Sequence, residues 1–211
     1  MRITLLILIT SCPYLVCAEN HEITLIASKQ STNETNWISR SNIITSVPEH
    51  PTTLGLRYGY ELLGSGPIGC QMQFTYHASS SADIQTNTHS SYLFMSTPPL
   101  KNLGFSTGFL AQWHYGLELG FGAQLRYERL SLGDTSASQV RPWLISRVSY
   151  SVSALVVKPV FGIEYNLAMT HKSHPSVIID GGTGYAYSNS SDVIKSLSPT
   201  NEFSLFGGFR F

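Results

Sequence analysis

A chain of 211 residues with thirteen basic and thirteen acidic side chains carries no formal net charge, which removes the basic footprint expected of a nucleic-acid binder. Charged residues are only 12% of the chain, about half the usual share of a soluble globular domain, yet no apolar run reaches the ~18 residues of a spanning helix. Low charge together with 17 glycines, 11 tyrosines and 10 phenylalanines points to sheet.

Residues 1–18, MRITLLILITSCPYLVCA, combine Arg2, an apolar stretch from Ile3 to Ile9, and Val16 and Ala18 at the spacing of a cleavage site. They read as a secretory signal peptide, leaving 19–211 as one mature domain. A rival cut exists in "ITSC", ending at Cys12, which resembles a bacterial lipobox and would leave a lipid on that cysteine. Cleavage after Ala18 removes Cys12 and Cys17, so Cys70 has no partner for an intramolecular disulfide and serves as a small hydrophobe.

Downstream the chain alternates apolar and polar residues at period two. "HEITLIASK" opens the series. "TLGLRYGYEL" sets Leu54, Leu56, Tyr58, Tyr60 and Leu62 against Gly55, Arg57, Gly59 and Glu61; after the turn "LGSG", "PIGCQMQFTYH" sets Ile68, Cys70, Met72, Phe74 and Tyr76 against Gly69, Gln71, Gln73, Thr75 and His77. "SSYLFMSTPP" reads either as an extra strand over 90–97 or as the rim of a tall hairpin. "NLGFSTGFLAQW" and "GLELGFGAQLRYERL" follow, separated by "HY". "RPWLISRVSYSV" is the least regular strand, because Trp143 and Ile145 stand on its polar side. "SAL" then turns the chain into "VKPVFGIEYNLAM", and "NEFSLFGGFRF" closes it.

These are eight strands, with long connections at 31–51, 80–100 and 171–199, an intermediate one between Leu130 and Arg141, and short turns between the members of each pair. The order long, short, long, short predicts an all-β fold: an eight-stranded antiparallel up-and-down transmembrane β-barrel, with four long external loops at one rim and three short turns at the other. Strands of about 11 residues suit a tilted crossing of a bilayer.

Volume decides which face is outside. About five large side chains from each of eight strands exceed what an eight-stranded lumen holds. The polar row is rich in glycine, as a crowded interior requires, and it also carries Arg57, Arg126, Arg147, Lys158 and Arg210 against Glu61, Glu118, Glu128, Glu164 and Glu202. Five cations against five anions predict an interior charge network that neutralises itself and fills the lumen. A porin-sized channel needs roughly twice the strands. Threading places Tyr60, Trp113, Tyr150, Phe209 and Phe211 at the turn rim and Tyr76, Tyr127 and Tyr165 toward the loop rim, the two aromatic girdles of a lipid-facing wall.

The whole mature chain resembles the small outer-membrane barrels of Gram-negative bacteria, the OmpA/OmpX-like group, through its signal peptide, eight alternating strands, short turns, long loops and last strand "FSLFGGFRF". The alternate Phe203, Leu205 and Phe209 ending in Phe211 resemble the signal read by the barrel assembly machinery. The resemblance implies the cell outer membrane, contact with its lipid and lipopolysaccharide, and a structural or surface-interaction role with an unknown ligand at the external loops; no peptidoglycan-binding domain follows the barrel.

"THKSHPS" places His171 and Ser173 on one side of an extended chain, which resembles the His-x-Ser step of lipid A deacylases. The match ends there, with His174 where that family has Asn and no Glu at the expected place. His77, His89 and His114 have no close metal-ligand spacing, and no cofactor is implied. "DGGTGYAYSNSSD" would cradle phosphate only between a strand and a helix, and no helix is read after it, so it reads as an external loop. The expectation is a non-catalytic outer-membrane barrel. Its alternatives are a lipid-modifying enzyme using His171 and Ser173, and a secreted soluble barrel enclosing a small apolar ligand.

Overall fold

The structure, a computed structural model, describes residues 21–32, 35–39, 42–48, 51–63, 67–81, 84–88, 100–115, 117–152, 157–170, 177–179 and 194–211. The signal-peptide reading of 1–18, the lipobox at Cys12, segment 90–97, His89, His171, Ser173, His174 and the glycine-rich segment 180–192 lie outside the described residues.

Twelve strands form among the described residues: β1 (His21–Ser31), β2 (Thr35–Ser39), β3 (Asn42–Pro48), β4 (Thr52–Leu63), β5 (Ile68–Ser79), β6 (Ile84–Thr88), β7 (Leu100–Tyr115), β8 (Leu117–Leu132), β9 (Thr135–Ser151), β10 (Lys158–Ala168), β11 (Val177–Ile179) and β12 (Asn201–Arg210). Eight of them, β1, β4, β5, β7, β8, β9, β10 and β12, pair antiparallel in chain order, and β12 returns to β1 to close a barrel. β2, β3, β6 and β11 come from the three long connections and form a second sheet in the order β11, β2, β3, β6.

Closure satisfies a strict demand. In hydrocarbon an open strand edge leaves N–H and C=O groups without partners, at a cost of several kcal/mol each. β1 and β12 pair from Glu22↔Arg210 to Ser31↔Asn201, and His21 and Phe211 exchange backbone hydrogen bonds of 3.0 and 2.9 Å beyond the last ladder pair. The final phenylalanine therefore takes part in the seam through its backbone.

Between Leu130 and Arg141 both strands run on as a tall hairpin instead of giving way to a loop. Leu132 pairs with Thr135, and Gly133 takes the φ of 58° that so tight a reversal needs and that side-chain-bearing residues rarely adopt. Alternation persists to the tip because Leu130 and Ala137 continue the inward rows and bury against Leu100, Ile194 and Leu197. Residues 194–196 form one helical turn, and 194–200 fold back into the loop-side mouth, where Thr200 N–H donates to Ser31 O at 2.8 Å.

The burial pattern is inverted relative to a soluble barrel. On β8, Leu117, Leu119, Phe121, Leu125 and Tyr127 are exposed while Glu118, Gln124, Arg126 and Glu128 are buried. From Leu117 to Tyr127, ten rises of about 3.3 Å on a strand tilted about 40° give an apolar band about 25 Å tall, the height of a bilayer's hydrocarbon belt.

Two glycines set how closely the strands approach. A Cβ on Gly208 would collide with the Ile23 carbonyl oxygen and Thr24 Cα across the seam, and one on Gly122 with the Phe109 carbonyl oxygen. Gly208→Ala is expected to cost about 1–3 kcal/mol and to lower the fraction recovered as compact, heat-modifiable barrel on gels. Gly207→Ala, whose methyl would meet Val160 O only at 4.0 Å, is the matched control and should leave that fraction unchanged.

Candidate functional site

The inward rows assemble the chemistry of the chain inside the lumen. Near the turn rim Arg210 bridges two carboxylates, with Nη1 2.6 Å from Glu118 Oε1 and Nη2 2.9 Å from Glu22 Oε2. Arg147 Nη2 donates to the other oxygen of Glu22 at 2.6 Å, and Ser149 and Ser151 each donate to Glu118 at 3.0 Å. His114 lies 3.5 Å from Glu118 and 3.7 Å from Glu61, contacts that carry charge only when the imidazole is protonated.

Above this layer Arg57 Nη2 donates to Glu164 Oε1 at 2.8 Å, its Nη1 lies 2.8 Å from Oε2 as an ion pair, and Asn166 donates to Glu164 at 2.9 Å. Arg126 Nη1 meets Glu202 Oε2 at 2.7 Å, and Gln30 donates to the same oxygen at 2.9 Å. Closest to the loop rim, Arg141 binds Glu128 at 2.6 and 2.8 Å and donates to Pro199 O at 2.7 Å, which ties the last charge layer to the folded-back segment. The apolar cluster of Leu100, Leu130, Ala137, Ile194 and Leu197 sits beside it.

Two rings stand between these layers. Arg147 lies 4.1 Å over Phe206 with Arg57 at 5.5 Å, and Arg126 lies 4.1 Å over Trp143 with Arg141 at 5.1 Å. Four guanidinium groups thus have a carboxylate at their edge and an aromatic ring near their face, the pairing that suits a planar, weakly hydrated cation. A cavity of about 10 Å³ lined by Arg57, His77, Arg126, Glu164 and Asn166 lies within this packing. That is room for about one water.

Of the charged residues expected inside, Arg57, Glu118, Arg126, Glu128, Arg147, Glu164, Glu202 and Arg210 are buried and ion-paired. Glu61 is half-buried beside His114, and Lys158 stands half-buried at the turn rim opposite Arg210 in the ladder. Alternation singles out neither Glu22 nor Arg141, although each lies on an inward row: Glu22 with Thr24, Ser28 and Gln30, and Arg141 with Arg147 and Ser149. The same parity explains Trp143 and Ile145. They face the lumen, where Ile145 pairs with Gly122 and Phe206 pairs with Gly162, so the inner row supplies the space that its rings and branched chains occupy. The signal was an aromatic in register with arginines and opposite glycine.

On the outer wall, Trp113 and Tyr150 near the turn rim and Tyr76, Tyr127 and Tyr165 near the loop rim are exposed, as is Phe209. Tyr60 and Phe211 are half-buried because both lie against the His21 ring, at 5.2 and 6.3 Å between centroids. Phe203 and Leu205 are exposed on the closing strand.

A closed barrel with charges paired inside and leucine, phenylalanine and tyrosine outside has lipid for its solvent. The protein is an eight-stranded, antiparallel, membrane-spanning β-barrel with a filled polar interior, the architecture implied by the resemblance to the OmpA/OmpX-like group. No family model and no curated protein sequence matches the chain. Among solved structures, Neisserial surface protein A (NspA) is similar at 14% identity with a TM-score of 0.44, over 90% of this chain and 95% of that one. Ail, the attachment invasion locus protein of Yersinia pestis, is similar at 12% identity with a TM-score of 0.43, over 91% of this chain and 98% of that one.

Glu22 serves two arginines while 1% exposed. Glu22→Gln leaves part of two buried cations uncompensated and is expected to destabilise the barrel by about 3–5 kcal/mol. Adding Arg147→Met should recover a substantial part of that loss, because the unpaired cation goes with its partner. Urea unfolding in micelles followed by tryptophan fluorescence measures both variants; strictly additive losses would contradict the pairing.

Proposed function

We propose that the protein is a non-catalytic barrel of the outer membrane that stands closed to ions and acts through the segments it presents at the loop rim. The observation that carries this reading is the continuous filling of the lumen, from the Glu22, Arg147, Arg210 and Glu118 layer through Phe206 and Trp143 to the Arg141–Glu128 pair and the apolar cluster around Leu197. Ion passage would require breaking several buried pairs at once. The same lumen is unsuited to a small apolar ligand, since its walls are ionic where such a ligand needs hydrocarbon.

In this reading the protein reaches the outer membrane by export behind residues 1–18, and the barrel assembly machinery recognises the alternate Phe203, Leu205, Phe209 and Phe211. Lipopolysaccharide surrounds the outward face. The long connections, which supply the second sheet of β11, β2, β3 and β6, carry the interaction surface, because a rigid barrel holds such segments clear of the bilayer. His171 and Ser173 belong to the edge of the last connection and have no catalytic task.

A planar-bilayer recording of the refolded chain tests the closed interior. The expected record shows no steady conductance, and a stable conductance of porin magnitude would overturn the reading.

A further inference from the structure

We propose that the outer wall over β5, β7 and β8 is a binding site for a phosphorylated, acylated lipid of the leaflet at the loop rim. The inference rests on the membrane-spanning reading and adds a specific site to it. Its first element is a recess in the apolar belt. Ladder pairing puts Tyr76, Phe105 and Tyr127 at one level and Phe74, Thr107 and Leu125 at the next level toward the turn rim. Thr107 is small where both its neighbours are large, and a recess of about 580 Å³ with apolar walls opens over it. A lipid-facing wall has no need of an even surface, but a hollow of this size accepts acyl chains that a flush wall would only brush.

The second element is charge. Arg129 is opposite Leu103, one level closer to the loop rim than Tyr127, and Lys101 follows opposite Ser131. Both are exposed on the outer wall. Two residues along a strand put Arg129 about 7 Å beyond Tyr127. The diagonal register brings Lys101 and Arg129 within about 7–8 Å of each other at the backbone. The glutamates of the barrel strands lie buried or half-buried on the inward rows, and Asp134 at the hairpin tip is the exposed carboxylate among the described residues. Two cations at the top of an apolar recess, with no carboxylate beside them on the wall among the described residues, call for an anion that arrives attached to hydrocarbon. Phosphate is the headgroup chemistry that suits both, with the arginine fork donating two hydrogen bonds and the lysine a point charge. The Tyr127 hydroxyl, bonded to Ser138 Oγ at 3.0 Å, adds a polar edge at the same height. Free phosphate would leave the recess unfilled and an uncharged lipid would leave the cations unanswered, so one amphiphile with both parts is the occupant the wall fits.

The test uses the full mature chain refolded in a neutral detergent, with native mass spectrometry as readout. The probes are a bisphosphorylated, acylated glucosamine disaccharide and the same molecule without its phosphates. The wild type should retain the phosphorylated probe at least about tenfold better than the dephosphorylated one. The pair Lys101→Gln and Arg129→Gln should erase that preference, and Thr107→Phe, which fills the recess and leaves both cations, should lower occupancy by a similar factor. Lys29→Gln removes an exposed cation on β1, three strands away from β7 around the ring, and should change nothing. All these side chains are on the outer wall, so each variant should keep the compact, heat-modifiable form. Equal retention of the two probes, or an equal loss in Lys29→Gln, would overturn the site while leaving the barrel intact. A wild type with no compact form at all would instead overturn the membrane reading beneath it.

Discussion

Arg147 meets Glu22 at 2.6 Å in a place where neither side chain has access to bulk water, and the rest of the barrel is arranged around what that pair requires. An ionised group enclosed in a narrow lumen is tolerated when its opposite charge is at hydrogen-bond distance and its remaining donors are satisfied; removing one partner is far costlier than removing both. The structure meets the first of these conditions layer by layer. Arg210 shares Glu22 and Glu118, Arg57 takes both oxygens of Glu164, and Arg126 and Arg141 take Glu202 and Glu128. Phe206 and Trp143 fill the space between layers and offer the guanidinium planes an aromatic face in place of water. Glycines complete the arrangement, since Gly122 and Gly162 stand opposite Ile145 and Phe206 and leave room for them.

Much of this was legible because a membrane barrel writes its fold as a simple parity. Alternation over "TLGLRYGYEL" and "GLELGFGAQLRYERL" assigns Arg57, Glu118, Arg126 and Glu128 to one face and the leucines and aromatics to the other, and the structure places them so. Parity alone does not say which opposite charges meet. Arg57 and Glu164 are 107 positions apart and meet only because the closed sheet brings far strands across the lumen, and Glu22 and Arg210, 188 apart, meet because the first and last strands pair at the seam. It also fails where the inner row is itself apolar. Trp143, Ile145 and Phe206 look like breaks in the pattern until the arginines above them are in view. The cap is illegible for another reason: Ile194 and Leu197 are spaced as one helical turn inside a long connection, and their burial depends on Leu100 and Leu130, which belong to distant strands.

Inside and outside divide the work. The lumen is spent on cohesion, with carboxylates and guanidinium groups paired and residues 194–200 folded into the loop-side mouth. The outer surface is asymmetric in charge along the axis: Lys29, Lys101 and Arg129 are exposed toward the loop rim, while aromatic residues mark both rims. Beyond the belt, the tall β8–β9 hairpin prolongs the barrel wall, and the long connections supply a second sheet in the order β11, β2, β3, β6.

The central claim is the inversion of polarity, hydrocarbon contact outside and paired charge within, and the tryptophans test it directly. Trp113 is exposed on the outer wall and Trp143 is fully buried in the lumen beneath Arg126. Two single-tryptophan proteins, one keeping Trp113 and the other Trp143, would be refolded into bilayers whose acyl chains carry bromine, which quenches indole fluorescence on contact. The account predicts strong quenching of Trp113 and fluorescence from Trp143 that matches the unbrominated control. Quenching of Trp143 with Trp113 spared would contradict it.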